Sequence, residues 1–320
     1  MRTWQIDALS QPARLIDTPI PDPKPGEALL RIHACALNFA DLLMVEGRYQ
    51  SKPQLPFTPG LELSGEVVAL GPQTDGPSPG TRVACFAGHG GMAEYGTFPV
   101  SNLMPLPDAM PYDQASAFLI AYGTSHLALW HKARLQAGET LFVTGAAGGV
   151  GLTAVEIGKH MGARVIASAR GPEKLAVAKA AGADIVIDSD SPDMKEQLKG
   201  LGGVDVVYDP VGGTGFDAAL RATRPDGRLL CIGFASGDIP KPAANILLVK
   251  NLSVIGFWWG AYSDFAPHLV RESLSTLMSW YADGALRPHI SHRLPMDRLA
   301  EGLALLRDRK ATGKVVMTLI

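Results

Sequence analysis

The sequence predicts an α/β protein in which a β-rich domain is interrupted by a doubly wound parallel-sheet domain. Three observations predict this class. Up to residue 118, short strand-like runs are separated by turns rich in Gly and Pro, as in small barrels. Between residues 140 and 258, continuous apolar runs alternate with helical patterns, which indicates strands buried on both faces. After residue 262 the pattern changes again, so we expect the chain to return to the first domain.

Length and composition agree with two globular domains. The chain has 320 residues, which is long for one domain, and its 35 glycines and 24 prolines fit an α/β protein punctuated by loops. We place the boundaries so that residues 1–118 plus 262–320 form the β-rich domain. Residues 119–261 then form the inserted domain.

Charge and cysteine content bear on the expected partners and on the state of the thiols. The net charge of −2 argues against a nucleic-acid partner. The three cysteines lie far apart in apolar surroundings, as buried reduced thiols do. The N-terminus lacks an apolar signal core, and no stretch approaches the roughly 20 apolar residues that span a bilayer. We therefore expect a cytoplasmic protein without membrane insertion.

The β-rich domain is predicted from strand-like runs and turns. A turn over residues 21–27 leads into a strand over residues 28–33, where apolar and polar residues alternate. Two further strands are predicted over residues 62–70 and 82–86. The Gly- and Pro-rich segment 71–80 between them is predicted to be a loop.

Six strands are predicted in the inserted domain. They cover residues 140–144, 164–169, 185–188, 204–209, 228–234 and 252–258. Because helical patterns connect them, the sequence predicts the doubly wound fold that binds dinucleotides.

The last part of the chain is predicted to contain two helices and a strand. A long helix covers residue 265 to about residue 282, and the segment 286–294 follows it. A second helix begins near Asp297, and its apolar face carries Leu299, Leu303 and Leu306. A strand over residues 313–320 ends the chain.

A run of small residues, 145–151, lies between the first strand of the inserted domain and a helical pattern over residues 152–162. Glycines let the backbone approach a pyrophosphate closely, and the start of the next helix offers unpaired N–H groups to the anion. We expect the cofactor to be bound by Ala147, Gly148, Gly149, Val150 and Gly151. A plain structural turn is the alternative.

The end of the second strand favours NADPH over NADH. Sites for NADH usually place an Asp or Glu there to hold the ribose hydroxyl groups, but residues 164–169 end without one. Arg170 and Lys174 follow instead, and their charges could neutralise a 2′-phosphate. The alternative is that both are ordinary solvated residues at a helix start.

Several motifs together resemble a known family. They are NFAD at 38–41, PGLELSG at 59–65, AAGGVG at 146–151, DVVYDPVGG at 205–213, ANILLVKNLSVIG at 244–256 and ATGKVV at 311–316. They resemble medium-chain dehydrogenases/reductases, and more narrowly the zinc-free quinone oxidoreductase (zeta-crystallin-like) branch, over nearly the whole chain. The resemblance implies a GroES-like domain interrupted by a Rossmann domain.

The resemblance also allows a test for zinc. Related zinc-dependent alcohol dehydrogenases have a Cys where this chain has Asn38, and a His where it has Leu61. Leucine cannot bind a metal, and an amide is a poor substitute for thiolate. His289 and His292 are close in sequence, but no Cys or acidic residue completes a set. We expect no zinc site.

Without a metal or flavin signature, the chemistry implied is direct hydride transfer from NADPH to a quinone or similar conjugated carbonyl. By resemblance, Asn38 lines the nicotinamide side of the cleft and Tyr49 lies at the substrate mouth. A tyrosine could donate a proton or hydrogen bond to the acceptor oxygen. A packed aromatic ring is the alternative for Tyr49, and Leu43 replaces the second tyrosine of some members.

Further cofactor contacts are expected outside the glycine-rich loop. By resemblance, Thr124 contacts the nicotinamide and Lys310 occupies a basic position near the cofactor. Gly233 and Phe234 end the fifth strand, where ligands gather in such sheets. The alternatives are helix packing for Thr124, and for Lys310 a favourable place at a helix C-terminus.

One partner and two other functions complete the predictions. The resemblance implies a homodimer that pairs through the last strand of the inserted domain, where residues 257–259 are apolar; inward packing of these residues is the alternative. An enoyl-CoA (acryloyl-CoA-like) reductase on the same scaffold is an alternative, and Arg48 with Lys52 could bind the phosphates of CoA. A non-enzymatic NADPH-binding protein is the second alternative, which the near-neutral charge and intact glycine-rich loop disfavour.

Overall fold

The computed structural model describes residues 1–319, which form two compact units. Unit 1 comprises Met1–Ile120 and the chain from Pro288 onward, and unit 2 comprises Ala121–Arg287. The expected return at residue 262 is therefore wrong. Residues 262–287 stay with unit 2, because the ring of Tyr262 lies 5.3 Å from that of Phe257 and Ser273 Oγ lies 2.8 Å from His126 Nδ1.

Unit 1 is built mainly on antiparallel strands, although β14 and β15 pair in parallel. Its elements are β1 (Arg2–Gln5), β2 (Arg14–Asp17), β3 (Glu27–Leu37), α1 (Phe39–Val45), β4 (Glu62–Leu70), β5 (Arg82–Phe86), β6 (Tyr95–Pro99), β7 (Leu103–Pro105), α2 (Tyr112–Ser116), β14 (Ile290–Pro295), α11 (Leu299–Arg307) and β15 (Lys314–Thr318). The main sheet has the order β14-β15-β3-β4-β5-β7, and β6 pairs with β3. The β-rich architecture predicted from the sequence for this part of the chain is confirmed.

Strand β3 is longer than the predicted 28–33 because it carries small apolar residues on both faces. Leu30 and Ile32 belong to the main core of unit 1. Ala34 and Ala36 belong to a second cluster, with Ala117. The apolar residues on both faces obscure the alternation from which its end was predicted.

Unit 2 is a parallel sheet with the order β10-β9-β8-β11-β12-β13. Its elements are α3 (Leu119–Leu127, which begins just before the boundary), a π-helix (Ala128–Lys132), β8 (Thr140–Val143), α4 (Gly149–His160), β9 (Arg164–Ala169), α5 (Gly171–Ala180), β10 (Ile185–Asp188), α6 (Met194–Gly200), β11 (Val204–Asp209), α7 (Thr214–Ala222), β12 (Thr223–Cys231), α8 (Ala244–Lys250), β13 (Ser253–Gly256), α9 (Trp259–Phe265) and α10 (Pro267–Ala282). This is the doubly wound order, so the predicted Rossmann domain is confirmed.

Other predicted elements also have different bounds in the structure. Strand β12 ends at Cys231, three residues before the predicted end at Phe234. The predicted helix from residue 265 begins two residues later, as α10, because Ala266 has a non-helical φ of −144° and Pro267 then occupies the first turn, whereas Phe265 ends α9. Strand β15 covers Lys314–Thr318, and the last predicted strand residue, 320, lies outside the described residues.

One carboxylate holds both ends of unit 2. Tyr122 is the second residue of this unit, and its hydroxyl donates to Glu156 Oε2 at 2.6 Å. Arg287 is the last residue, and its backbone N–H donates to Glu156 Oε1 at 2.5 Å. Burial raises the pKa of Glu156. The entry and exit of the unit are thus fixed to the same point of α4.

Candidate cofactor and active site

The glycine-rich segment joins β8 to α4 at the point where the order of the sheet reverses, between β8 and β11. Gly148 is the N-cap of α4, and the helix starts at Gly149 rather than at the expected residue 152. Gly149, Val150 and Gly151 therefore form its first turn. A helix leaves the N–H groups of this turn without internal partners, and the positive end of its dipole lies there.

Close backbone packing explains two of the glycines in this segment. Gly145 has a φ of +56°, in the left-handed region that glycine adopts easily. A Cβ atom on Gly151 would lie 2.2 Å from the carbonyl oxygen of Gly145, far inside van der Waals contact. The first turn of α4 can pack on the loop only because residue 151 has no side chain.

Asp209, at the end of β11, holds this loop to the next one, and we did not predict it. Its carboxylate accepts hydrogen bonds from the hydroxyl of Thr144, directly after β8, and from the backbone of Gly212 at 3.0 Å. It is 1% exposed, and this burial raises its pKa. The signal in the sequence was an acidic residue at the end of a buried strand, β11, which pairs with β8.

The two cations expected at the 2′-phosphate lie at the start of α5. Arg170 is the N-cap of this helix and Lys174 lies in its first two turns. In the structure Arg170 Nε lies 3.0 Å from Asp190 Oδ2. The tip of β9 carries no carboxylate, as predicted, but the loop after β10 brings one to Arg170. Since both side chains are more than half exposed, this pair contributes little to stability.

The other expected cofactor residues of unit 2 lie apart from each other in sequence. Thr124 is buried within α3. Its neighbour Ser125 donates to the carbonyl oxygen of Val150 at 2.9 Å, which ties α3 to the first turn of α4. Gly233 and Phe234 lie in the loop after β12 rather than in the strand, and Phe234 is exposed.

In unit 1, Asn38 lies in a buried polar cluster with three residues that we did not predict as functional. It is the N-cap of α1, and its Oδ1 accepts a hydrogen bond from Lys314 Nζ at 2.6 Å. Its Nδ2 donates to Glu62 Oε1 at 3.0 Å, and Lys314 Nζ also donates to Glu62 Oε1, at 2.8 Å. The fourth member, Asp41, is 1% exposed.

Strand register brings these distant residues together. In the antiparallel pair β15–β3, Val315 faces Leu37, so Lys314 comes next to Asn38. In the pair β3–β4, Ala36 faces Glu62. Residues separated by more than 250 positions thus meet, and only the motif of residues 311–316 signalled that Lys314 mattered.

Asp41 accepts two backbone hydrogen bonds within the same cluster. The N–H of Asn38 donates to Asp41 Oδ2 at 2.8 Å, and that of Gly60 donates to Oδ1 at 3.2 Å. Burial is the largest influence on its carboxyl group and raises the pKa to about 7, although these hydrogen bonds and Lys314 act in the opposite direction.

The remaining expected site residues of unit 1 lie outside this cluster. Tyr49 packs against the apolar group of Ile6, Met44, Phe57 and Leu61. This position supports the packed interpretation of its ring. Lys310 follows α11, is largely exposed, and its Nζ lies 3.7 Å from Asp308.

The described part of the chain has neither a cluster of metal-binding side chains nor a membrane-spanning helix. Among residues 1–319, no three His, Cys, Asp or Glu side chains gather where they could hold a metal ion. Within the same residues, no helix is long and apolar enough to cross a membrane.

Comparison with known families agrees with this architecture. A family model described as "Alcohol dehydrogenase GroES-like domain" matches residues 24–108, and one described as "Zinc-binding dehydrogenase" matches residues 149–275. "Quinone oxidoreductase-like protein 2 homolog" of Nematostella vectensis is 42% identical over 298 residues, which cover 91% of this chain and 81% of the relative.

Two solved structures extend the comparison to the whole chain. The quinone oxidoreductase of Thermus thermophilus, solved also in complex with NADPH, is 35% identical, with a TM-score of 0.89 and full coverage of both chains. The Escherichia coli quinone oxidoreductase complexed with NADPH is 25% identical, with a TM-score of 0.92 and full coverage of both chains. The chain therefore belongs to the quinone oxidoreductase family of the medium-chain dehydrogenases/reductases.

Proposed function

We propose that this protein is an NADPH-dependent oxidoreductase that transfers a hydride directly to a quinone or a similar conjugated carbonyl compound. The observation that carries this proposal is the start of α4, packed against the glycine-rich loop at the reversal point of the parallel sheet. Its shape and unpaired N–H groups fit a pyrophosphate. The names of the relatives, two of which were solved with NADPH, support the cofactor and the substrate class.

The residues of unit 2 would bind and orient the cofactor. The pyrophosphate would be bound by Ala147, Gly148, Gly149, Val150 and Gly151. Arg170 and Lys174 would bind the 2′-phosphate, and Arg170 would then exchange Asp190 for the phosphate. We propose Thr124, Gly233 and Phe234 of unit 2 as further cofactor contacts, together with Lys310 of unit 1.

The residues of unit 1 would act on the acceptor. When bound, NADPH supplies a hydride, so the acceptor gains two electrons and its oxygen then takes up a proton. Asn38 and Tyr49 are the proposed residues beside the reacting groups. Asn38 would donate a hydrogen bond where negative charge develops, and the hydroxyl of Tyr49 is the proposed proton or hydrogen-bond donor.

We also propose a homodimer formed through the free side of β13. This strand lies at the end of the six-stranded sheet, and edge strands offer unpaired backbone groups. Of residues 257–259, only Trp258 is largely exposed, while Phe257 and Trp259 are buried within unit 2. Inward packing is therefore correct for two of the three. Leu248 and Val249 on α8 are more than three-quarters exposed and add apolar surface.

The first experiment is a turnover assay with several acceptors. Oxidation of NADPH is followed by its absorbance with benzoquinone, phenanthrenequinone and crotonyl-CoA in parallel, and NADH is the control cofactor. Quinone turnover selective for NADPH supports the proposal. Turnover with crotonyl-CoA alone would mean that the substrate is an enoyl-CoA rather than a quinone. Tight NADPH binding without turnover on any acceptor would contradict the enzymatic proposal.

A further inference from the structure

The buried cluster of Asn38, Asp41, Glu62 and Lys314 contains an ion pair between Lys314 and Glu62. Lys314 is 5% exposed and Glu62 is fully buried. Removing two charges from water is costly, and apolar residues of similar size often stabilise a protein as well as a buried ion pair does. Stability alone is therefore a weak reason for a buried ion pair at this position.

The hydrogen bonds of the cluster fix the orientation of one amide group. An ammonium group only donates, so the side-chain atom of Asn38 that lies 2.6 Å from Lys314 Nζ must be its oxygen. The amide nitrogen then faces Glu62, which receives one of its two hydrogens at 3.0 Å. Lys314 thus fixes the orientation of the Asn38 amide group.

The second hydrogen of this amide forms only a weak hydrogen bond within the protein. Its partner within the protein is the carbonyl oxygen of Ala36 at 3.5 Å, which is at the limit of a hydrogen bond. A ligand oxygen at an ordinary distance would therefore compete successfully for it. A cation on the amide oxygen also polarises the group and strengthens its N–H as a donor.

We propose that Lys314 is a positioning residue that orients and polarises the Asn38 amide, so that its second N–H donates to the carbonyl oxygen of the bound acceptor. This inference rests on the proposed function, which places the acceptor beside Asn38. Glu62 balances the charge of Lys314 and holds the other hydrogen. Lys314 itself acts only through Asn38.

The test separates positioning from folding by removing the two charges together. Lys314→Met alone leaves Glu62 as an unpaired buried charge, so it is expected to melt at a lower temperature than the natural protein. Lys314→Met combined with Glu62→Gln removes both charges and keeps one acceptor oxygen for Asn38, although the backbone N–H of Ile120 loses its acceptor, so the melting temperature is expected to recover in part. The matched control is K159M/D184N, which removes an ion pair of unit 2 that is partly exposed.

Kinetics of the double variant give the first readout. We expect kcat with quinone to fall by at least about tenfold, as happens when a donor to a developing oxyanion is lost, while KM for NADPH stays within about twofold. The control variant keeps both constants. A double variant that folds and turns over like the natural protein would overturn the proposal.

Nuclear magnetic resonance gives a readout that does not depend on turnover. The sequence contains four asparagines, so labelling Asn with nitrogen-15 gives four pairs of side-chain amide signals, of which Asn102 is an internal control. We expect the Asn38 signals to shift and exchange faster with water in K314M/E62Q, but to change much less in Glu62→Gln, which keeps the bond from Lys314. Unchanged signals in the double variant, or equal changes in both variants, would overturn the positioning role.

The failure of the proposed function is distinguishable from the failure of this inference. If the natural protein reduces no quinone, the proposed function fails, and the resonance measurement still shows whether Lys314 orients Asn38.

Discussion

Asp41 is a carboxyl group on which burial and hydrogen bonding act in opposite directions. Two backbone N–H groups favour its charged form, and so does Lys314 nearby. Burial outweighs them and raises the pKa to about 7. The folded protein therefore binds a proton at Asp41 over a pH range in which the unfolded chain, with an ordinary aspartate, does not.

This difference predicts that Asp41 makes the protein less stable as the pH rises. Because the folded pKa is raised, its contribution is fully present below the ordinary pKa of Asp and is lost as the pH rises through about 7. The free energy of unfolding of the natural protein, relative to D41N, should fall by a few kcal/mol between about pH 4 and pH 8, at about 1.4 kcal/mol per unit of pKa difference. Urea unfolding at several pH values measures it, and parallel curves for the two proteins would contradict it.

Arg170 and Lys174 give a prediction on cofactor choice. Removing both by alanine substitution should weaken NADPH binding by at least about tenfold and leave NADH binding nearly unchanged, because a charged hydrogen bond contributes about 1.5–3 kcal/mol. Fluorescence titration with each cofactor measures this. Arg271→Ala, an exposed cation on α10, is the control. Equal losses for both cofactors would show that the 2′-phosphate binds elsewhere.

At the level of elements, the sequence predicted the order of strands and helices better than the residues at which they begin and end. The order β8, loop, α4 was predicted, but α4 starts three residues before the predicted residue 152. The prediction missed this turn because its glycines disfavour a helix by propensity alone. Contact with Gly145 and the bond from Ser125 stabilise that turn, and neither is visible in a local pattern. Lys314, Glu62 and Asp209 were missed for the same reason, since strand register rather than spacing brings them to their partners.

The packing of α4 on its loop predicts the effect of one methyl group. Gly151→Ala places a carbon 2.2 Å from the carbonyl oxygen of Gly145, so the helix start must move away from the loop. We expect a lower melting temperature and NADPH binding weakened by at least about tenfold. Gly200→Ala is the control, because a Cβ atom there meets nothing within 4 Å. Normal cofactor binding by a folded G151A protein would show that this approach does not shape the site.

At the level of the whole molecule, the free edge of β13 predicts self-association. We expect a sedimenting mass of about twice the 33.9 kDa of one chain. Introducing charge with V249E and W258E should shift the protein to monomers, because both residues belong to the exposed apolar surface of unit 2. Val68→Glu, which changes an exposed apolar residue of unit 1, should leave the mass unchanged. A monomer before any substitution would contradict the proposed dimer.

Glu156 has a consequence for how this chain can be rebuilt. Because one carboxylate binds the hydroxyl of Tyr122 and the backbone N–H of Arg287, the two ends of the inserted unit lie near the same side chain. A gap between neighbouring ends can be closed by a short flexible bridge at little entropic cost. Unit 2 could therefore be cut out as a self-contained cassette, or exchanged for that of a relative, with its new joints placed at residues 120 and 288.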